Sequence, residues 1–392
     1  MPFLVSPGVT GRPLRRAAGI LTLALGATAS VPVASAGQIS APLEVRIPKP
    51  PTLARVDGAG VLAYEVHLTN FGAQAVTLRR LDVLDDATPA RVLHTLEDTA
   101  LFNAMSRPGV APPPAAIDRP RIAGGLRAVV FMWAPADLRT PPGRVRHRFT
   151  LVRGSGDSTT TTVFEGGAVT VATSVATIAP PLRGGPWLAA NGPDPIAGHR
   201  RALIPIEGTP AIAQRFAIDY VKVDSSGRTF SGDRLKNESY YAQGMEALAV
   251  ADGRVVATKD SIPENIPGAN SRAVPITLET VGGNHVIIDI GNGRYAFYAH
   301  LQPGSLRVKV GDRVRQGQVL GLVGNSGNST EPHLHFHLSD SPSPLGSEGI
   351  PYVHERLEVV GRCRANFMAC QPVPTESRRG EMPSSKMAVR FP

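Results

Sequence analysis

The segment Pro332-His333-Leu334-His335-Phe336-His337-Leu338 places three histidines at alternate positions. In a β-strand alternate side chains share a face, so His333, His335 and His337 project together while Leu334, Phe336 and Leu338 enter a core. Imidazoles in that array can set one nitrogen on a metal ion and a second beside a bound water. The plain alternative is a polar, exposed sheet face. A further histidine, in Tyr298-Ala299-His300, ends an apolar strand expected over Tyr295–His300. Glycines punctuate tight turns nearby, in Gly311-Asp312-Arg313, Gly317-Gln318 and Gly324-Asn325-Ser326-Gly327.

The order of these pieces carries a resemblance. Asp252-Gly253-Arg254-Val255, Gly283-Asn284-His285-Val286, Tyr298-Ala299-His300, Val310-Gly311-Asp312-Arg313-Val314, Gly327-Asn328-Ser329-Thr330 and His333-Leu334-His335-Phe336 follow one another in the sequence. The series, from about Arg215 to Leu338, resembles the LytM/lysostaphin-type zinc metallopeptidases. That resemblance implies a compact antiparallel β domain with a groove, a zinc ion held by two histidines and an aspartate, and cleavage of peptide bonds in peptidoglycan. By position it makes Asp219 and His335 metal ligands and His300 and His333 the catalytic histidines. Three protein ligands leave a fourth zinc position for water, whose pKa the metal lowers to ~7. A base must then orient that water and a donor must meet the oxyanion.

One part of the pattern is broken. The family's first motif is His-x-Gly-x-Asp, and here the stretch reads Arg215-Phe216-Ala217-Ile218-Asp219. Arginine offers no lone pair to a metal, and its charge would repel one. Residues four apart in a regular strand lie ~13 Å from each other, so without the glycine a straight strand through Asp219 is expected. The third ligand must come from elsewhere or zinc is absent. His199, in Gly198-His199-Arg200-Arg201, is the first candidate, with a solvated loop histidine as its alternative reading. His337 is the second, on the same strand face as His335.

The elements that must position these groups are strands. Leu62, Tyr64, Val66 and Leu68 alternate with Ala63, Glu65 and His67 in a half-buried strand, and short apolar runs follow at 78–84, 128–133, 145–152 and 168–172. With 40 glycines, 36 prolines and no helical period, the fold class is all-β. An N-terminal β-sandwich is followed by a compact antiparallel β peptidase-like domain with a groove. The expected division is a signal peptide at 1–36, the sandwich at 37–178, a Gly/Pro-rich linker at 179–202, the peptidase-like domain at 203–360, and a disulfide loop with a disordered tail at 361–392. His67, His94 and His147 fall in separate strands or loops and read as surface or partly buried.

The 392-residue chain opens with Arg12, Arg15 and Arg16, an apolar run at 17–29, and Ala34-Ser35-Ala36, which together fit a cleaved secretory signal. An uncleaved anchor is the alternative, but that run is shorter than the ~20 helical residues that span a bilayer. Cys363 and Cys370 are the only cysteines and suit a disulfide in an oxidising compartment. The formal charge of +9 suits anionic wall polymers as well as simple solubility, and export argues against a nucleic-acid partner. No lysine lies between Val310 and Ser339, which excludes a biotinyl or lipoyl carrier hairpin. Two functions stay open. One is an exported, cell-wall-associated zinc endopeptidase without stable membrane insertion. The other is a metal-free binding module or activator partnered with another cell-wall hydrolase.

Overall fold

Strand Ala59–Asn70 is the spine of the N-terminal sandwich. In this computed structural model, which describes residues 41–87, 89–111, 118–154, 158–269, 272–363 and 370–392, it lies between Leu43–Arg46 and Arg127–Pro135, with Leu53–Val56 also paired to it. The facing sheet runs Thr160–Thr170, Arg144–Arg153, Val76–Asp85, Arg91–Glu97. Leu62, Tyr64, Val66 and Leu68 meet Leu78, Leu81, Phe149 and Leu151 in one core, as strand alternation requires. The expected signal at residues 1–36 lies outside the described residues. Among those described, no helix is long and apolar enough to cross a membrane.

The other face of the spine strand is not solvated. Val61 and Ala63 enter the core of the second domain, and Glu65 and His67 are buried. A strand covered on both sides loses its hydrophobic-in, polar-out contrast, so the half-buried reading is corrected. His147 is corrected too: it is fully buried, 2.6 Å from the Tyr64 hydroxyl and 3.0 Å from the Gly167 carbonyl. His94 remains partly exposed.

The second domain is built on a sheet with the order Arg313–Val314, Gly253–Lys259, Asn284–Asp289, Tyr295–Leu301, Leu334–Ser339, Ile218–Lys222, Gly184–Ala190, Met387–Phe391, Leu357–Cys363, Cys370–Arg378. Two expected boundaries fail here. The supposed linker contains Gly184–Ala190, an interior strand that buries Trp187, Leu188 and Ala189. The supposed disordered tail contains Met387–Phe391, which pairs with strands on both sides and buries every side chain but Arg390. Averaged over twenty polar or Pro-rich residues, a five-residue strand is invisible. Its backbone partners, more than 20 residues away, are what make it a strand. The expected disulfide joins Cys363 and Cys370 across the antiparallel pair.

Ionic contacts cross between the sandwich and the second domain, among them Lys49–Asp340 and Arg55–Glu381. Asp57, in the turn Asp57-Gly58, accepts from Arg362 and Arg378. Glu65, 3% exposed, is held between Arg200 and Arg215. Burial alone would raise its pKa, but the two guanidiniums outweigh that and hold it below the usual carboxylate range. Phe391 is 2% exposed and packs on Tyr220 and His354. Phe391→Ala should therefore cost about 3–5 kcal/mol in urea denaturation. A disordered tail would give no measurable change.

Candidate metal centre

Asp219 sits on a strand hydrogen-bonded on both sides, and both neighbours deliver a functional group. On one side Asp219 is directly opposite His335. On the other it is opposite Ala190, so the next residue, Asn191, turns over it. The strand starts only at Ile218; Ala213 to Phe216 form a turn closed by the Ala217 N–H bond to the Gln214 carbonyl. The straight strand expected from the loss of glycine is therefore not formed, and Arg215 lies in that turn. Its guanidinium is committed elsewhere, 2.6 Å from Glu65, 2.6 Å from Glu348 and 3.0 Å from the Gly349 carbonyl. The expected repulsion of a metal by Arg215 is thus countered by two carboxylates, and Arg215 is not among the residues that line the histidine pocket.

All five site residues read from the sequence, His199, Asp219, His300, His333 and His335, line one pocket of about 320 Å³. Within it, ligand atoms of His199, Asp219 and His335 all lie within 4.8 Å of one another. His335 Nδ1 is 2.8 Å from Asp219 Oδ1, His333 Nε2 is 3.4 Å from the same oxygen, and His199 Nε2 is 3.5 Å from Oδ2. Burial would raise the Asp219 pKa. The charges of His199 and His333, with hydrogen bonds from His333 and His335, hold it well below the carboxylate range instead. Burial pushes His199 down to about 4, against a partial offset from Asp219.

The two remaining histidines are fixed from behind by carbonyls. His300 Nδ1 donates to the Ser326 carbonyl at 2.8 Å and His333 Nδ1 to the Glu331 carbonyl at 2.8 Å, so the Nε2 edge of each is left for the pocket. Their rings are 4.9 Å apart. His300 adopts φ +65°, a left-handed backbone that costs a bulky residue ~1–3 kcal/mol and persists where the surroundings fix it. The surroundings are tight: a Cβ on Gly327 would come within 2.2 Å of the Gly283 nitrogen, so the loop carrying Ser326 can press against the 282–284 segment only with glycine there. Burial, then the nearby His333 and His335, pushes the His300 pKa well down.

His337, the second candidate for a third ligand, is outside the triad. It is fully buried, with Nδ1 3.0 Å from His335 Nε2, the place of a group that fixes a ligand's tautomer. Asn191 is the functional residue that sequence reasoning missed. Its amide donates to Asp219 Oδ2 at 2.8 Å and its carbonyl faces His199 Nδ1 at 3.2 Å. The available signal was Asn191-Gly192 directly after an apolar run, a turn signature that here was absorbed into a linker.

The donor set fits zinc. With Nδ1–H given to the Asn191 carbonyl, His199 points an Nε2 lone pair at Asp219 Oδ2, another acceptor. A cation between them removes that repulsion, and two imidazoles with one carboxylate leave a fourth position open on zinc.

A histidine–aspartate cluster on an antiparallel β scaffold is the class that fold and site define. Residues 238–346 match the family model described as Peptidase family M23. The chain is 32% identical over 136 residues to Endolysin 2638A of Staphylococcus phage 2638A, covering 31% of this chain and 28% of that protein. It is 46% identical over 65 residues to the peptidoglycan DD-endopeptidase ShyA of Vibrio cholerae serotype O1, covering 17% of this chain and 15% of that one. The solved catalytic domain of the prophage-encoded M23 protein EnpA from Enterococcus faecalis covers 45% of this chain and 93% of that one, at 23% identity and TM-score 0.25. The chain carries a LytM/lysostaphin-type domain of peptidase family M23. It spans under a third of the length of those curated relatives. The family match takes in His300, His333 and His335 but begins after His199 and Asp219, whose assignment rests on geometry.

Asn191→Ala removes a hydrogen bond to a buried, ionised carboxylate and sets alanine at φ +49°. In urea denaturation of the metal-free protein it should lower stability by about 1.5–3 kcal/mol.

Proposed function

We propose that the protein is an exported zinc metalloendopeptidase that cleaves peptide bonds in peptidoglycan. The observation that carries this reading is the convergence of His199, Asp219 and His335 within 4.8 Å, in a pocket that also holds His300 and His333. The family of the domain and the printed activities of its relatives supply the substrate class. The Cys363–Cys370 disulfide supports an oxidising compartment outside the cytoplasm.

Zinc, when bound, supplies a water deprotonated near neutral pH and polarises a carbonyl. His199, Asp219 and His335 would hold it, with His337 and Asn191 orienting those ligands. His300 and His333, each with Nδ1–H fixed by a backbone carbonyl, present Nε2 to the pocket. There one can take a proton from the attacking water, and the other, protonated, can donate to the developing oxyanion or the leaving amine. The metal-free alternative drew its support from Arg215 and Ala217. With His199 beside Asp219 and Arg215 paired to carboxylates, that support is reduced.

Elemental analysis of residues 37–392 after dialysis should find about one zinc per chain, and His199→Ala should lose it. His300→Ala and His333→Ala should keep the metal and hydrolyse peptidoglycan fragments ~10²–10⁴-fold more slowly. Absence of zinc even after its addition would sink the peptidase reading and favour a binding module for a wall peptide or a hydrolase partner.

A further inference from the structure

His199 arrives at the centre on a short turn, His199–Arg201, that has no side-chain cap. Its imidazole has one hydrogen bond behind it, Nδ1 to the Asn191 carbonyl at 3.2 Å. The following two residues anchor the turn, and almost every partner they use belongs to the N-terminal sandwich. Arg200, 1% exposed, pairs with Glu65 and donates to the Tyr64 and Met132 carbonyls at 2.8 and 2.9 Å. Arg201 donates to the Asn103 carbonyl at 2.6 Å. Both guanidiniums lie over the Phe131 ring, 5.5 and 5.3 Å from its centroid. The second oxygen of Glu65 is held by Arg215 at 2.6 Å, and Arg215 is tied to Glu348 and the Gly349 carbonyl. Gly349 is paired with Ser339, at the end of the strand that carries His335.

We infer that Glu65 of the sandwich is a positioning residue for the metal centre: bridged to Arg200 and Arg215, it holds the turn that delivers His199 to Asp219 and His335. The sandwich is then part of the metal site. Arg215, which stands where the family pattern has a ligand histidine, helps fix the carboxylate that anchors the replacement ligand. A turn held by one imidazole hydrogen bond would sample many positions. A fully buried ionic anchor one residue away, with Glu65 shared between Arg200 and Arg215, restricts it, and loss of an outer partner typically weakens metal binding 10–100-fold.

This rests on the zinc reading of the site, and the test separates the two. Zinc affinity is measured by competition with a chelator on residues 37–392, alongside thermal unfolding. Glu65→Gln and, should that variant fold poorly, Arg200→Met are expected to bind zinc at least tenfold more weakly. Arg200→Lys, which restores one charged donor to Glu65, should recover part of the loss. Arg362→Gln is the control: it removes one of the two guanidiniums on Asp57, at another ionic contact between sandwich and sheet, and should lower the unfolding temperature with zinc affinity unchanged. The Co2+-substituted protein adds a spectroscopic readout, in which Glu65→Gln should shift the visible absorption toward that of His199→Ala. If wild type and His199→Ala bind zinc equally, or neither binds it, the metal-site reading itself fails. If only His199→Ala loses zinc while Glu65→Gln and Arg200→Met keep wild-type affinity, or if Arg362→Gln weakens it as much, the site stands and the anchoring role of Glu65 is overturned.

Discussion

A buried, ionised carboxylate is the constraint on which the centre depends. Asp219 is 8% exposed, and a charge in that setting persists only when it is surrounded by partners. Its two oxygens face His199, His333, His335 and the amide of Asn191. Those groups come from Asn191 just after strand Gly184–Ala190, the turn His199–Arg201, and the triple-histidine segment at and before strand Leu334–Ser339. The interior place of Ile218–Lys222 in the sheet is what gives one side chain access to all three.

The broken motif at Arg215 and Ala217 reads differently once its surroundings are known. A lone arginine near a metal would be repulsive, but Arg215 sits in a turn and spends its charge on Glu65 and Glu348. Removing one partner from such a buried network strands the others without compensation, so its members are coupled. The position that in the family pattern supplies a lone pair here supplies a cation, and the imidazole that stands beside Asp219 is that of His199. Positions 199 and 215 are linked through Glu65, which Arg200 and Arg215 both hold.

The two histidines that are not in the triad are positioned with equal economy. His300 holds a left-handed backbone, and its ring is fixed from a glycine-bearing loop whose close approach excludes any Cβ at Gly327. Strain of this kind is retained where neighbouring contacts over-determine a residue. Sequence reading places His300 at a strand end; the angle that turns its ring into the pocket is a property of the packed loops.

Local pattern by itself fixed the all-β class, the sandwich core built on Leu62, Tyr64, Val66 and Leu68, and the shared face of His333 and His335, because strand alternation is written in every second residue. Motif order also picked out His300 and Asp219. Tertiary structure alone decided that residues 184–190 and 387–391 are interior strands, since each is a short apolar run inside a Gly/Pro-rich or polar stretch and gains its identity from partners distant in the chain. It alone chose His199 over His337 beside Asp219, placed Asn191 between Asp219 and His199, and turned Arg215 toward Glu65. Those outcomes depend on hydrogen-bond register and on where a buried charge can find its counter-charge, and neither is encoded within the few residues that a sequence window compares.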